Sequence, residues 1–247
     1  MRRTNQETFF GFKKVGMNEK AAMVSDVFSS VASKYDIMND AMSCGIHRLW
    51  KDHFCTMVPN GSMSLLDVAG GTGDIAIRCH KKGIPNITIC DINNEMLQHG
   101  RNKAIDKGIV AGIDYVLGNG EDLPFSSNSF DCYTIAFGIR NVTHIDKVLS
   151  EAYRVLKKGG RFLCLEFSKV ENPMIQRAYD FYSFSLIPKI GGVIAGNPEA
   201  YQYLSESIRK FPDQETFLGM LNRAGFEHTN YTNLSFGIAA IHGGYKL

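Results

Sequence analysis

One local passage leaves this chain few folds to choose from: an apolar run, Ser64 to Val68, passes through Ala69-Gly70-Gly71-Thr72-Gly73 straight into a segment of helical period at Asp74. A strand that turns so sharply into a helix needs glycine, which takes positive φ freely and lets a ligand approach the backbone. The same strand-to-helix rhythm continues downstream. Apolar runs at Asn86 to Asp91, Ile113 to Leu117, Asp131 to Phe137 and Gly160 to Phe167 alternate with helical segments near Asp74 to Lys82, Glu95 to Lys107 and Ile145 to Leu156. That alternation predicts βαβ units and a doubly wound, mostly parallel sheet. A helix at Gln214 to Ala224 and strand-like runs at Phe226 to Thr232 and Gly237 to Tyr245 add an antiparallel pair, which brings the expected sheet to seven strands.

Around this α/β core the chain divides into four stretches. Residues 1–60 read as an N-terminal arm and cap helices, because Ala22, Val24, Val27, Phe28, Val31 and Tyr35 recur at helical spacing and a second helical stretch runs from Ile46 to Met57. Residues 61–170 form the cofactor-binding core. Residues 171–212 read as a helical insertion and substrate lid, since Pro173 to Ser207 is rich in Tyr, Phe, Ile and Leu. Residues 213–247 complete the sheet.

Composition excludes several function classes. A formal net charge of +2, from 27 basic and 25 acidic side chains, offers no field that would gather a nucleic-acid backbone. Cys44, Cys55, Cys79, Cys90, Cys132 and Cys164 include no C-x-x-C pair, and His47 and His53 fit no metal-ligand spacing, so no metal is expected. The N-terminus lacks an apolar stretch of signal-peptide length. Ser185 to Gly196 is interrupted by Pro188, Lys189 and Gly191-Gly192 and is too short to span a bilayer. The expected location is cytoplasmic, peripheral at most to the inner face of a membrane.

The glycine loop alone serves two cofactors equally. Gly71-Thr72-Gly73-Asp74-Ile75-Ala76 satisfies the G-x-G-x-x-G/A dinucleotide pattern, and Asp91 lies where an acid would hold a ribose hydroxyl of either a nicotinamide cofactor or S-adenosylmethionine. Asp67 tips the balance. A carboxylate at the end of the strand opposes a pyrophosphate but suits the ammonium of an amino acid, directly or through water. Asn119-Gly120-Glu121-Asp122-Leu123-Pro124-Phe125 follows the third strand as a turn able to face adenine, and Phe130-Asp131 and Arg154 to Gly160 follow in order. A nicotinamide-dependent reductase and a non-catalytic module that binds S-adenosylmethionine or a lipid are the competing function classes.

The chain resembles the class I S-adenosylmethionine-dependent methyltransferases, and within them the ubiquinone/menaquinone biosynthesis C-methyltransferases of the UbiE type. The stretches that carry the resemblance are Val27 to Asp36, Ser43 to Lys51, Asp67 to Asp74, Ala136 to Thr143, Leu165 to Lys169, Tyr179 to Phe184 and Tyr203 to Arg209. It implies S-adenosyl-L-methionine as methyl donor, with Thr72, Asp91, Asn119 and Gly120 at positions where that family contacts it. Asp67, Gly71 and Gly73 complete the expected cofactor set. Ala136 departs from the serine of some members, which removes one side-chain contact. The implied substrate is a prenylated quinol, either a 2-methoxy-6-polyprenyl-1,4-benzoquinol or demethylmenaquinol. A homodimer, a membrane surface and a quinone-biosynthesis assembly are further partners compatible with it. A ring carbon becomes nucleophilic when a neighbouring hydroxyl gives up its proton, and a fixed cation beside that oxygen favours the loss. Arg140 is the expected cation, with Asn141 orienting the hydroxyl or a water. The alternative for Arg140 is an ion pair with a carboxylate under the sheet edge.

Overall fold

A computed structural model describes residues 7–31, 40, 43, 45–59, 63–182, 185 and 198–247. Cys44 and most of the expected lid between Phe181 and Pro198 lie outside the described residues.

The central sheet is built from β3 (Ser64–Val68), β4 (Asn86–Asp91), β5 (Ile113–Leu117), β6 (Phe130–Ala136), β7 (Leu156–Phe167), β8 (Glu227–Leu234) and β9 (Ala239–Tyr245). Its order is β5-β4-β3-β6-β7-β9-β8, with β9 antiparallel to β7 and β8 antiparallel to β9. This is the doubly wound seven-stranded sheet that the alternation implies. Successive residues explain why the central strands β3 and β6 are mostly apolar: Leu65 packs into one core and Leu66 into the other, and Cys132 and Tyr133 divide in the same way. Both faces are covered, as a parallel sheet requires. On the flanks lie α3 (Asp74–Lys81), α4 (Asn94–Asp106), α5 (Ile145–Val155) and α8 (Gln214–Arg223).

The N-terminal stretch holds more than an arm and helices. Before α1 (Met17–Val31) and α2 (His47–Thr56) comes an antiparallel hairpin, β1 (Glu7–Phe10) and β2 (Lys13–Gly16). Gly11, at φ +58°, begins its short turn. The hairpin docks on α7 (Pro198–Lys210): Phe10 stacks on Tyr203 at 4.0 Å, and Phe12 N–H donates to Glu206 at 2.9 Å. The other described helix of the insertion is α6 (Pro173–Phe181).

Strand β7 starts at Leu156, earlier than the glycine pair suggests. Leu156 pairs with Phe130, the register shifts between Phe130 and Cys132, and Gly159 N–H donates to Lys246 O. The glycines therefore sit in an irregularity within the strand rather than ahead of it.

Candidate active site

From β3 the chain winds outward through β4 and β5, then returns to place β6 on the other side of β3. A crevice opens at such a reversal, beyond the carboxyl ends of the strands. Two non-glycine residues stand in the left-handed region there, Ala69 at φ +51° after β3 and Phe137 at φ +56° after β6. Each costs about 1–2 kcal/mol, a strain that collects where backbone is shaped for a ligand. The two turns touch: a Cβ on Gly138 would lie 2.5 Å from that of Ala69. Glycine at 138 lets both strand ends turn beside a cavity of about 460 Å³.

Gly71 (φ +53°) and Gly73 (φ +72°) carry the loop from β3 into α3. Asp91, at the end of β4, fixes it. One carboxylate oxygen accepts from Gly71 N–H at 2.8 Å and the other from Asn93 N–H at 2.9 Å. Burial pushes the Asp91 pKa up, while the backbone donors of Asn93 and Gly71 draw it down. The carboxylate lines the cavity with lone pairs left for further donors.

Asp67 stands behind this wall. Val68, Ala69 and Gly71 line the cavity and Asp67 does not. Its Oδ1 accepts from Thr134 Oγ1 at 2.8 Å, whereas Oδ2 is buried with no partner. Burial raises its pKa to about 7. An unsatisfied acceptor of this kind beside the glycine loop fits a cationic group or an ordered water. Thr72 and Gly73 likewise shape the loop from outside the lining, while Gly71, Asp91, Asn119 and Gly120 face the cavity.

The opposite wall joins Asn119-Gly120-Glu121 to the start of α5. Asn119 Oδ1 accepts from Glu121 N–H at 3.0 Å, and Glu121 Oε1 accepts from Thr143 and His144 N–H at 2.7 and 3.1 Å. These amides precede the first turn of α5, where a carboxylate is favoured. Over the cavity lies α1, contributing Met17, Val24, Ser25 and Phe28. Asn93 Nδ2 donates to Ser25 O and to Ser29 Oγ, at 3.2 and 2.9 Å, and so ties that helix down. Its lining residues were missed in the sequence because the helical spacing there reads as ordinary core packing.

Arg140 and Asn141 follow β6 in a short turn, Ile139–Asn141, but face different partners. Asn141 lines the large cavity, and its Oδ1 accepts from Tyr203 OH at 3.0 Å. The Arg140 side chain, 2% exposed, is paired with Glu166, 1% exposed, at 2.7 Å. It also donates to Phe137 O at 2.5 Å. Arg140 thus lies outside the lining of the large cavity and borders a smaller one of about 180 Å³, with its charge already matched. The buried carboxylate at the adjacent strand end gives Arg140 the ion pair that was the alternative to a free cation beside a phenolate.

Among the described residues, no group of three or more His, Cys, Asp or Glu side chains could hold a metal ion. Cys55, Cys79, Cys90, Cys132 and Cys164 are buried free thiols.

The profile of the ubiE/COQ5 methyltransferase family matches residues 14–246. The chain is 53% identical, over 98% of its own length and 87% of the relative's, to the mitochondrial 2-methoxy-6-polyprenyl-1,4-benzoquinol methylase of Dictyostelium discoideum. It is 55% identical to the ubiquinone/menaquinone biosynthesis C-methyltransferase UbiE of Rickettsia bellii, over 98% of this chain and 99% of that one. Among solved structures, an S-adenosylmethionine-dependent methyltransferase of Thermotoga maritima, described as a possible histamine N-methyltransferase, superposes with a TM-score of 0.65 at 19% identity. The match covers 91% of this chain and 100% of that one. At that identity the likeness speaks for the fold alone.

Proposed function

The chain belongs to the ubiE/COQ5 methyltransferase family, and we propose that it moves a methyl group from S-adenosylmethionine to a ring carbon of a prenylated quinol in ubiquinone or menaquinone biosynthesis. The observation that carries the cofactor reading is the strand-end cavity in which Asp91 is held by Gly71 and Asn93 with its carboxylate facing inward. When bound, the cofactor supplies an electrophilic methyl group. The chain's own residues bind and orient. Asp91 accepts from the ribose hydroxyls, Asn119 and Gly120 border adenine, and the unpaired Oδ2 of Asp67 meets the ammonium through water. Gly71, Thr72 and Gly73 keep the loop low enough for the amino-acid tail. Alignment in a dry pocket supplies most of the rate.

At the acceptor side, Tyr203 fixes the carbonyl oxygen of the Asn141 amide, which leaves its NH₂ to hold a ring hydroxyl or a water. Arg140, tied to Glu166, acts as the positioning residue for that loop. No described helix is long and apolar enough to cross a membrane. Single-turnover transfer of a labelled methyl group to purified benzoquinol and demethylmenaquinol tests the function. Transfer to one or both is expected, and transfer to neither refutes it.

A further inference from the structure

The smaller cavity is bordered by cations. Lys20, Arg140 and Lys210 border it among the rings of Phe9, Tyr203 and Phe211, and no carboxylate lines it among the described residues. Arg140 is matched by Glu166. The Lys210 ammonium sits at the exposed rim, 3.9 Å from the centroid of Phe9. Lys20 is different, being only 8% exposed. Its Nζ donates to Val142 O at 2.7 Å, which uses one of three N–H bonds. Glu121 acts on it from a distance, but that carboxylate is engaged by the Thr143 and His144 amides. Burial pushes the Lys20 pKa down, as expected of a cation without a close counter-charge. Desolvating an ammonium that has no carboxylate in contact is costly, so a lysine kept in this position points to an anionic occupant.

Place and size narrow the occupant. Val142 and Thr143 line both cavities, so whatever fills the smaller one lies against the wall of the cofactor cavity and next to Asn141. About 180 Å³ suits an aromatic head group of one or two rings and is too small for a ligand of cofactor size. Aromatic walls with a buried cation suit a ring that carries an anionic oxygen.

We propose that the smaller cavity seats the aromatic head of the quinol and that Lys20 is a catalytic residue, donating to the ring oxygen as it becomes a phenolate. The inference rests on the quinol reading above. The hydroxyl proton passes to water at the open rim and Lys20 keeps its own protons. The oxygen's electron pair then feeds the ortho carbon, which bonds to the methyl group as the methyl–sulfur bond breaks and its electron pair stays on sulfur. That carbon next loses its own proton to water, which restores the aromatic ring as a phenolate, and the oxygen takes a proton back from water. Arg140, which shares the cavity, holds the loop in place through Glu166.

The probe is 4-nitrophenol, whose anion absorbs visible light, titrated against the full-length protein at a series of pH values. The unsubstituted protein should bind the anion about tenfold or more tightly than the neutral phenol, equivalent to a fall of about one unit in the bound probe's pKa. Lys20→Arg should keep most of that preference. Lys20→Gln, which retains a donor and loses the charge, should abolish it, leave S-adenosylmethionine affinity unchanged and lower turnover at least tenfold. A Gln variant that still prefers the anion would overturn the assignment. If that variant folds poorly, the unsubstituted protein decides alone, because equal affinity for phenol and anion would overturn it. Methyl transfer to neither quinol, with the anion preference intact, would refute the quinol reading and leave the anion seat standing.

Discussion

Replacing Asp91 by alanine tests the cofactor site most directly, because its carboxylate has structural and binding duties that separate in the laboratory. In the free protein it accepts from Gly71 N–H at 2.8 Å and Asn93 N–H at 2.9 Å. Removing it strands both buried amides at about 1–3 kcal/mol each, softened where water enters the cavity. The variant should therefore melt several degrees lower before any cofactor is added. Losing charged hydrogen bonds to the ribose should weaken S-adenosylmethionine by a further 2–3 kcal/mol, roughly thirty- to 150-fold in Kd. Asp91→Asn makes the finer distinction. Its amide oxygen can satisfy one of the two backbone donors but turns NH₂ toward the other, so the loop stays distorted. Titration calorimetry reads the affinity and a thermal melt reads the fold. A variant that melts lower yet binds the cofactor with unchanged Kd would refute the ribose assignment, because Asp91 would then serve only the loop.

Asp67, raised by burial to about 7, sets a pH dependence. Its folded pKa exceeds the unfolded value near 4, so the folded state holds a proton that the unfolded chain releases, and stability should fall as pH rises from about 4 to 7. Cofactor binding near pH 6 should release up to one proton, read by calorimetry in buffers of different ionisation enthalpy, and Asp67→Asn should remove the release. Arg140→Ala leaves Glu166 buried without its cation, a loss of about 3–5 kcal/mol visible as a lower Tm, and adding Glu166→Gln should restore most of it. Full turnover in that double variant would show that Arg140 is not needed for the chemistry. Gly71→Val imposes φ +53° on a β-branched residue whose Cβ would lie 3.0 Å from Met96 Cε, so binding should vanish with a stability loss of about 1–2 kcal/mol. Normal affinity would mean the loop is not part of the site. If the aromatic segment Tyr179 to Ile194, of which residues 179–182 and 185 are described, forms the entrance, kcat/KM should differ between tailless and prenylated quinols. Equal values, with no vesicle binding, would remove the lid.

Much of the fold was legible in the sequence because its signals are local. The runs Ser64 to Val68, Asn86 to Asp91 and Ile113 to Leu117 coincide with β3, β4 and β5, since inner strands covered on both faces are mostly apolar and the edge strand β5 keeps enough apolar residues to pack on one side. The glycines of the cofactor loop could be read for the same reason, as their backbone angles belong to the residues themselves. Asp91 needed only its distance from the loop along a βαβ unit, and that unit has a narrow range of lengths. What tertiary structure alone decided was which charges meet. The β6 and β7 register pairs Ala136 with Leu165, which brings Glu166 beside the turn that carries Arg140. No spacing along the chain foretells that neutralisation. In the same way, Lys20 meets Val142 and Tyr203 meets Asn141 across long stretches of chain, and the N-terminal hairpin finds its support on α7. Periodicity shows which side of a helix is apolar, but the partner of a buried polar atom depends on where distant segments come to rest. The residues that line the large cavity from the glycine loop and from Asp91 could therefore be picked out along the chain, whereas the partners of Arg140, Asn141 and Lys20 could be found only in the folded chain.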